Sequence, residues 1–147
     1  MRHGAAALLT LNVRRFDAHR KMSTKKKAED YVCHYFREKR GIKLLPVKRP
    51  ETGFDFRNAD STLFVEVKGT SAIDLRKAPF RYFTNAEYEA AKRSSRDGTS
   101  YEIHLIVGVG TAEPQHFLIP GQKLVDNGEP ETWWALSLTK DFQRYRL

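Results

Sequence analysis

GFDFRNADSTLFVEVKGT, residues 53–70, places an aspartate, a short polar turn and a β-type run within eighteen residues. The run Leu63-Phe64-Val65-Glu66-Val67-Lys68 carries two charges where a buried strand would normally carry none. Side chains two apart on a strand share a face. Glu66 and Lys68 are therefore expected to project together, with Val65 and Val67 opposite. Antiparallel pairing across the Asn58–Thr62 connection brings Asp55 alongside Glu66. The expected product is a small hairpin with Asp, Glu and Lys gathered at one end.

Such a cluster has a chemical use. Carboxylates converging from adjacent strands, here Asp55 and Glu66, make a hard-oxygen site for Mg²⁺ (or Mn²⁺), which takes one or two carboxylates plus waters and substrate phosphate. The metal polarises a phosphoryl oxygen and acidifies a bound water. A lysine on the same face, Lys68, can orient that water or offset charge developing on the phosphate. The plainer alternative makes Asp55 a turn residue and Glu66–Lys68 a same-face ion pair on an edge strand.

Asp55 followed by Glu66-Val67-Lys68, with an earlier helical acid in AEDYV (Glu29), resembles the PD-(D/E)XK nuclease superfamily. The wording GFDF…LFVEVKGT…FTNAEYEAA is similar to one branch, the domain at the C-terminus of the plant NO VEIN protein and in many bacterial restriction and defence proteins. The likeness runs from about Glu29 to Val109. Phe54 stands where many members have proline. The resemblance implies a restriction-endonuclease-like α/β sandwich, a metal held by Asp55 and Glu66, and Glu29 completing the acidic cluster or holding a metal-bound water. The superfamily also contains domains that bind without cutting.

The chain's 147 residues suit one domain and leave no room for a separate recognition domain. The formal charge of +8 invites a nucleic-acid reading, so its placement matters. Residues 1–27 hold eight basic side chains and one acid, whereas 28–147 hold eighteen against seventeen. The basicity thus belongs mostly to the N-terminal arm. Within the body, residues 70–96 lean basic, through Arg76, Lys77, Arg81, Lys92, Arg93 and Arg96. A basic segment directly after the Glu-x-Lys strand suits the approach of a phosphate backbone, although solvated faces look the same. One cysteine, Cys33, excludes an intramolecular disulfide and suits a reducing, cytoplasmic setting. No apolar run approaches the ~20 residues of a membrane span. The five histidines and Cys33 lack zinc-ligand spacing. Neither a Gly-rich phosphate loop nor a Ser-His-Asp order is present.

Residues 1–22 read as a basic extension, with Met22 a plausible second start, and 23–147 as a single domain. An organelle transit peptide is the minority reading of the extension. Ser23 or Thr24 can cap a helix to about Arg40, ended by Gly41, its buried face set by Ala28, Tyr31, Val32, Tyr35 and Phe36. Glu29 lies near the edge of that face; a first-turn carboxylate favoured by the helix dipole is its alternative role. Ile42–Val47 is a strand candidate confined to an edge by Pro46, and Gly53 permits tight backbone geometry beside Asp55. Ser71–Pro79 reads as a loop. Thr84-Asn85-Ala86-Glu87 is a capping box that opens a helix to about Arg96 and accounts for Glu87 by itself. Lys92, Arg93 and Arg96 form the outward face of that helix. Tyr101–Val109 reads as a central strand with His104 as a hydrogen-bonded core or face residue, and His116–Pro120 as another strand. Gly121–Thr132 reads as a long polar loop, and Trp133–Leu138 as the last strand, its tryptophans in core or dimer packing.

This order gives an α/β sandwich around a mixed central sheet. The expected function is a Mg²⁺-dependent endonuclease hydrolysing phosphodiesters in DNA, with Asp55, Glu66, Lys68 and Glu29 at its centre. A homodimer would supply one site per strand of a duplex, and a protein partner could supply specificity. The alternative is a catalytically inactive nucleic-acid-binding or assembly module with the same fold. Defence is an expectation from the resemblance.

Overall fold

The computed structural model describes residues 24–74, 82–126, 133–135 and 144–147. The basic extension, Arg76, Lys77 and Arg81 lie outside the described residues. Helix α1 spans residues 24–35 and widens into a π-helical turn, Phe36–Arg40, that Gly41 closes with its N–H on the Phe36 carbonyl. Ala28, Val32 and Phe36, four apart, form its buried stripe.

Five strands make a mixed sheet: β1 Leu45–Pro46, β2 Phe56–Arg57, β3 Leu63–Thr70, β5 Ser100–Val107 and β6 Gln115–Pro120, in spatial order β1-β2-β3-β5-β6. β3 and β5 run parallel over eight pairs, from Leu63↔Ser100 to Thr70↔Val107, and the other pairings are antiparallel. Parallel neighbours need a crossover. Here it is strand β4, Tyr82–Thr84, followed by helix α2, Asn85–Asp97. β4 pairs outside the main sheet with β7, Trp133–Ala135.

The sheet is covered on both faces, as the alternation of β3 and β5 requires. Val65, Val67 and Ile106 pack with Ala28, Val32 and Phe36 on the α1 side. Tyr101, Ile103 and Leu105 pack with Phe83, Tyr88, Ala90 and Ala91 on the α2 side. Phe36, Phe83 and Phe117 are wholly buried, each contributing roughly 1.5–3 kcal/mol relative to exposure. Gly69 makes the closeness of α1 possible: a Cβ there would lie 2.5 Å from the Ala28 Cβ.

Residues 121–126 correct the expectation of a polar loop. They form helix α3, Gly121–Asp126, because Leu124 is fully buried in the α2-side core and anchors a turn that composition alone reads as polar. The first strand is shorter than Ile42–Val47 and, as Pro46 requires, lies at the edge. β5 ends at Val107, since Gly108 turns with φ 72°. Residues 136–138 lie outside the described residues.

One polar chain crosses the α1-side core. Arg40 Nη1 (2.7 Å) and His104 Nε2 (2.9 Å) meet Glu102 Oε2, and His104 Nδ1 lies 2.8 Å from His116 Nε2. A carboxylate only accepts, so His104 Nε2 carries a proton, and neutral His104 takes the His116 N–H at Nδ1. Burial and then the neighbouring His104 push His116 down to about 3; His104 is lowered by burial. Tyr35 packs edge-on to the His116 ring, with centroids 4.8 Å apart. The expectation of a hydrogen-bonded core role for His104 holds. No helix among the described residues is long and apolar enough to cross a membrane.

Candidate active site

The hairpin forms as its sequence requires. Asn58 Oδ1 accepts the N–H groups of Thr62 and Leu63, at 3.0 Å each, and closes the turn. β2 and β3 then pair with Phe56 opposite Val65. One step further lie Asp55 and Glu66, side by side as expected. At that step the ladder changes character. The Val67 N–H, which a regular ladder would give to a carbonyl, donates to Asp55 Oδ2 at 2.9 Å. The Asp55 backbone is held from both sides, its N–H on the Val65 carbonyl and its C=O taking the Val47 N–H.

Gly53 makes this divergence possible. Its φ is +78°, and a Cβ would stand 2.1 Å from the Ala86 carbonyl oxygen at the start of α2. Only glycine meets both demands. The Gly53 carbonyl accepts the Tyr101 hydroxyl at 2.6 Å. Burial, then the charges of Glu66, Glu87 and Asp55, hold the Tyr101 phenol well above its usual range, so it stays a donor. Tyr101 thus ties the G-F-D turn to β5.

Glu66 and Lys68 share a face of β3. Glu66 is 5% exposed, and its Oε1 lies 2.9 Å from Lys68 Nζ. Burial raises the Glu66 carboxyl well above the usual range; Lys68 opposes the shift, and Asp55 and Glu87 add to it. Burial pulls Lys68 down, but Glu66 and Glu87 outweigh it and leave the ammonium raised. The Lys68 nitrogen also sits 5.2 Å from the Phe83 ring centroid.

Glu87 has a second role that the capping reading lacked. The capping box exists: Thr84 Oγ1 accepts the Glu87 N–H, and Glu87 Oε2 accepts the Thr84 N–H at 3.1 Å. The other oxygen, Oε1, accepts from Lys68 Nζ at 2.8 Å. A signal for this was legible. Glu87 begins the stripe continued by Ala90, Ala91 and Ser94, all buried, and a buried carboxylate calls for a buried partner.

On the other side of Asp55 stands the first turn of α1. Lys25 Nζ lies 3.4 Å from Asp55 Oδ1 and 3.8 Å from Glu29 Oε1. Glu29 is half-buried as expected at the edge of its helix face, and burial followed by the Asp55 charge raises its carboxyl. Four carboxylates (Glu29, Asp55, Glu66 and Glu87) therefore face two ammonium groups. Among the described residues no three His, Cys, Asp or Glu side chains stand close enough to cage a metal. Asp55 and Glu66 make a carboxylate pair at one step of the hairpin.

On α2, Lys92, Arg93 and Arg96 are exposed as expected. Arg93 reaches the Thr52 carbonyl at 3.4 Å, and Arg96 pairs with Asp97.

Residues 25–119 match the family described as "Protein NO VEIN, C-terminal". This covers well over half of the chain, which therefore belongs to that family. Neither the curated proteins nor the solved structures include a significant match.

Proposed function

We propose that this member of the NO VEIN C-terminal family is a divalent-cation-dependent nuclease of the PD-(D/E)XK type, hydrolysing phosphodiester bonds in DNA. The observation that carries the reading is the juxtaposition of Asp55, Glu66 and Lys68 at the point where β2 parts from β3.

The donor set suits Mg²⁺ or Mn²⁺: hard oxygens from two carboxylates, with water and phosphate completing the shell. Asp55 would offer Oδ1, since Oδ2 is committed to the Val67 N–H, and Glu66 would offer its buried carboxylate. Burial first, and neighbouring carboxylates after it, raise Glu66 and Glu29, and a bound divalent ion would offset the repulsion among these carboxylates. When bound, the cation supplies Lewis-acid polarisation of the scissile phosphate.

The chain's own residues do the rest. Lys68 has three N–H donors; two are directed to Glu66 and Glu87, and the third serves the attacking water or a phosphoryl oxygen. Water forms the new P–O bond and gives up a proton to solvent, the bond to the leaving sugar oxygen breaks, and that oxygen takes a proton from solvent. Glu29 lines the same rim and helps hold the water. Lys25 balances Asp55 and Glu29 and would give way if a divalent ion were held there. Lys92, Arg93 and Arg96 are exposed on α2, where a phosphate backbone would pass; Arg76, Lys77 and Arg81, the other basic side chains proposed to bind nucleic acid, lie outside the described residues. A second copy of the chain would supply a site for the opposite strand of a duplex.

The second reading is a binding or assembly module without catalysis. It draws on Lys25, whose ammonium already balances Asp55 and Glu29.

The test is cleavage of circular, linear and single-stranded DNA with Mg²⁺, Mn²⁺ or EDTA, comparing wild type with Lys68→Ala. Metal-dependent cleavage lost in the variant is the expected result. Inert proteins that still retard DNA would favour the module, and equal cleavage by both would remove Lys68 from the site.

A further inference from the structure

We propose that Glu87 is a positioning residue for Lys68, and that α2 is clamped to the site through it. The inference rests on the nuclease reading for its catalytic consequence, but its structural content stands on geometry.

The Glu87 carboxylate divides its oxygens. Oε2 closes the capping box on Thr84, and Oε1 holds the Lys68 ammonium at 2.8 Å. A cap asks only for a side-chain oxygen at this position, and glutamine supplies one equally well. The capping box therefore leaves the charge unexplained. Glu87 is 8% exposed, and burying a carboxylate is unfavourable unless a cation and hydrogen bonds offset it. Lys68 is the cation that does so.

Lys68 in turn needs a partner other than Glu66. Glu66 lies two residues away on the same strand, and in the nuclease reading its oxygens turn toward a divalent ion. A lysine held only by Glu66 would lose its anchor as the cation bound. Glu87 comes from another element and takes no part in the proposed metal shell. With Glu87 on one side and the Phe83 ring 5.2 Å away, the nitrogen keeps its place in both situations. The arrangement also joins two distant features, the Glu-x-Lys strand and the Thr-Asn-Ala-Glu helix start.

Two substitutions separate the roles. Glu87→Gln keeps an oxygen for the cap and removes the charge. Thr84→Ala removes the capping hydroxyl and keeps the carboxylate. The first readout is the ¹⁵N resonance of the Lys68 ammonium, assigned by its absence from Lys68→Ala. It is expected to be protected in wild type and in Thr84→Ala, and broadened away in Glu87→Gln. The second readout is cleavage at saturating Mg²⁺. Glu87→Gln is expected to lower kcat by about tenfold to a hundredfold, the scale of a misplaced catalytic group, with KM nearly unchanged. Thr84→Ala is expected to keep kcat within about twofold.

A Lys68 resonance and kcat that survive Glu87→Gln would overturn the proposal, as would equal losses in the two variants. If Glu87→Gln does not fold, wild-type protein decides. A coupling across the hydrogen bond from Lys68 Nζ to the Glu87 carboxylate carbon supports the proposal, and its absence from a protected resonance overturns it. If no protein cleaves DNA, the nuclease reading fails, while the resonance still decides whether Glu87 holds Lys68.

Discussion

Replacing Gly53 with alanine should be among the most damaging small changes in this protein, and two other glycines show why. Gly53, Gly41 and Gly98 all have positive φ, at 78°, 64° and 71°. A left-handed conformation costs a residue bearing a Cβ roughly 1–2 kcal/mol. At Gly41 and Gly98 nothing lies within 4 Å of an added Cβ, so that cost stands alone. At Gly53 the Cβ would meet the Ala86 carbonyl oxygen at 2.1 Å, the Ala86 carbonyl carbon at 2.5 Å and the Glu87 nitrogen at 2.9 Å. These are backbone atoms of a capped helix start and cannot rotate away. Moving them adds about 1–3 kcal/mol, the usual cost of overpacking. Gly53→Ala should therefore lose about 2–5 kcal/mol, against about 1–2 for Gly98→Ala. Urea unfolding followed by circular dichroism measures both. In a chain of this size each kcal/mol also lowers Tm by about 2–4 °C. The damage should extend to the site, because the helix that must shift carries Glu87 and the turn carries Asp55. A Gly53→Ala protein no less stable than Gly98→Ala would refute the packing argument.

Acid should weaken the fold through its buried histidine pair. His116, at about 3 in the fold and ~6.5 when unfolded, contributes stability that is complete above pH 6.5. That stability is lost at about 1.4 kcal/mol per pH unit as pH falls toward 3. His104 acts in the same direction, and the raised Glu66 and Glu29 oppose it, so the comparison is with His116→Phe. Between pH 7 and pH 5, wild type should lose about 2 kcal/mol more than that variant in urea titrations. Tyr101→Phe removes the hydroxyl from a buried carbonyl and should lower stability by about 1–2 kcal/mol in the same assay. Lys25→Met removes the ammonium facing Asp55 and Glu29. It should tighten Mn²⁺ binding by about twofold to fivefold, the scale of one exposed ion pair, measured calorimetrically; weaker binding would count against displacement of Lys25.

Local rules made much of this architecture legible. The two-residue period of β3 set the shared face of Glu66 and Lys68, and Asn58 with its polar neighbours marked the turn that brings Asp55 beside Glu66. Thr84 and Glu87 announced a helix start three residues apart. What stayed hidden depends on packing between distant elements. The Lys68–Glu87 contact spans nineteen residues of chain and exists only because α2, packed against β5, brings its first turn to Lys68. Lys25 reaches Asp55 over thirty residues, through the docking of α1. The histidine pair needed the β5–β6 register, which sets Ile106 opposite His116, and strand parity alone does not supply it. Residues 121–126 misled because their polar composition outweighed one buried leucine, Leu124.

The central claim is that the hairpin builds a divalent-cation site from Asp55 and Glu66. Titration of Mn²⁺ followed by electron paramagnetic resonance tests it without reference to any substrate. The expected result is one site per chain in wild type, abolished in Asp55→Asn and retained in Thr84→Ala. Wild-type protein that binds no Mn²⁺, or an Asp55→Asn variant that binds it as well as wild type does, would contradict the claim.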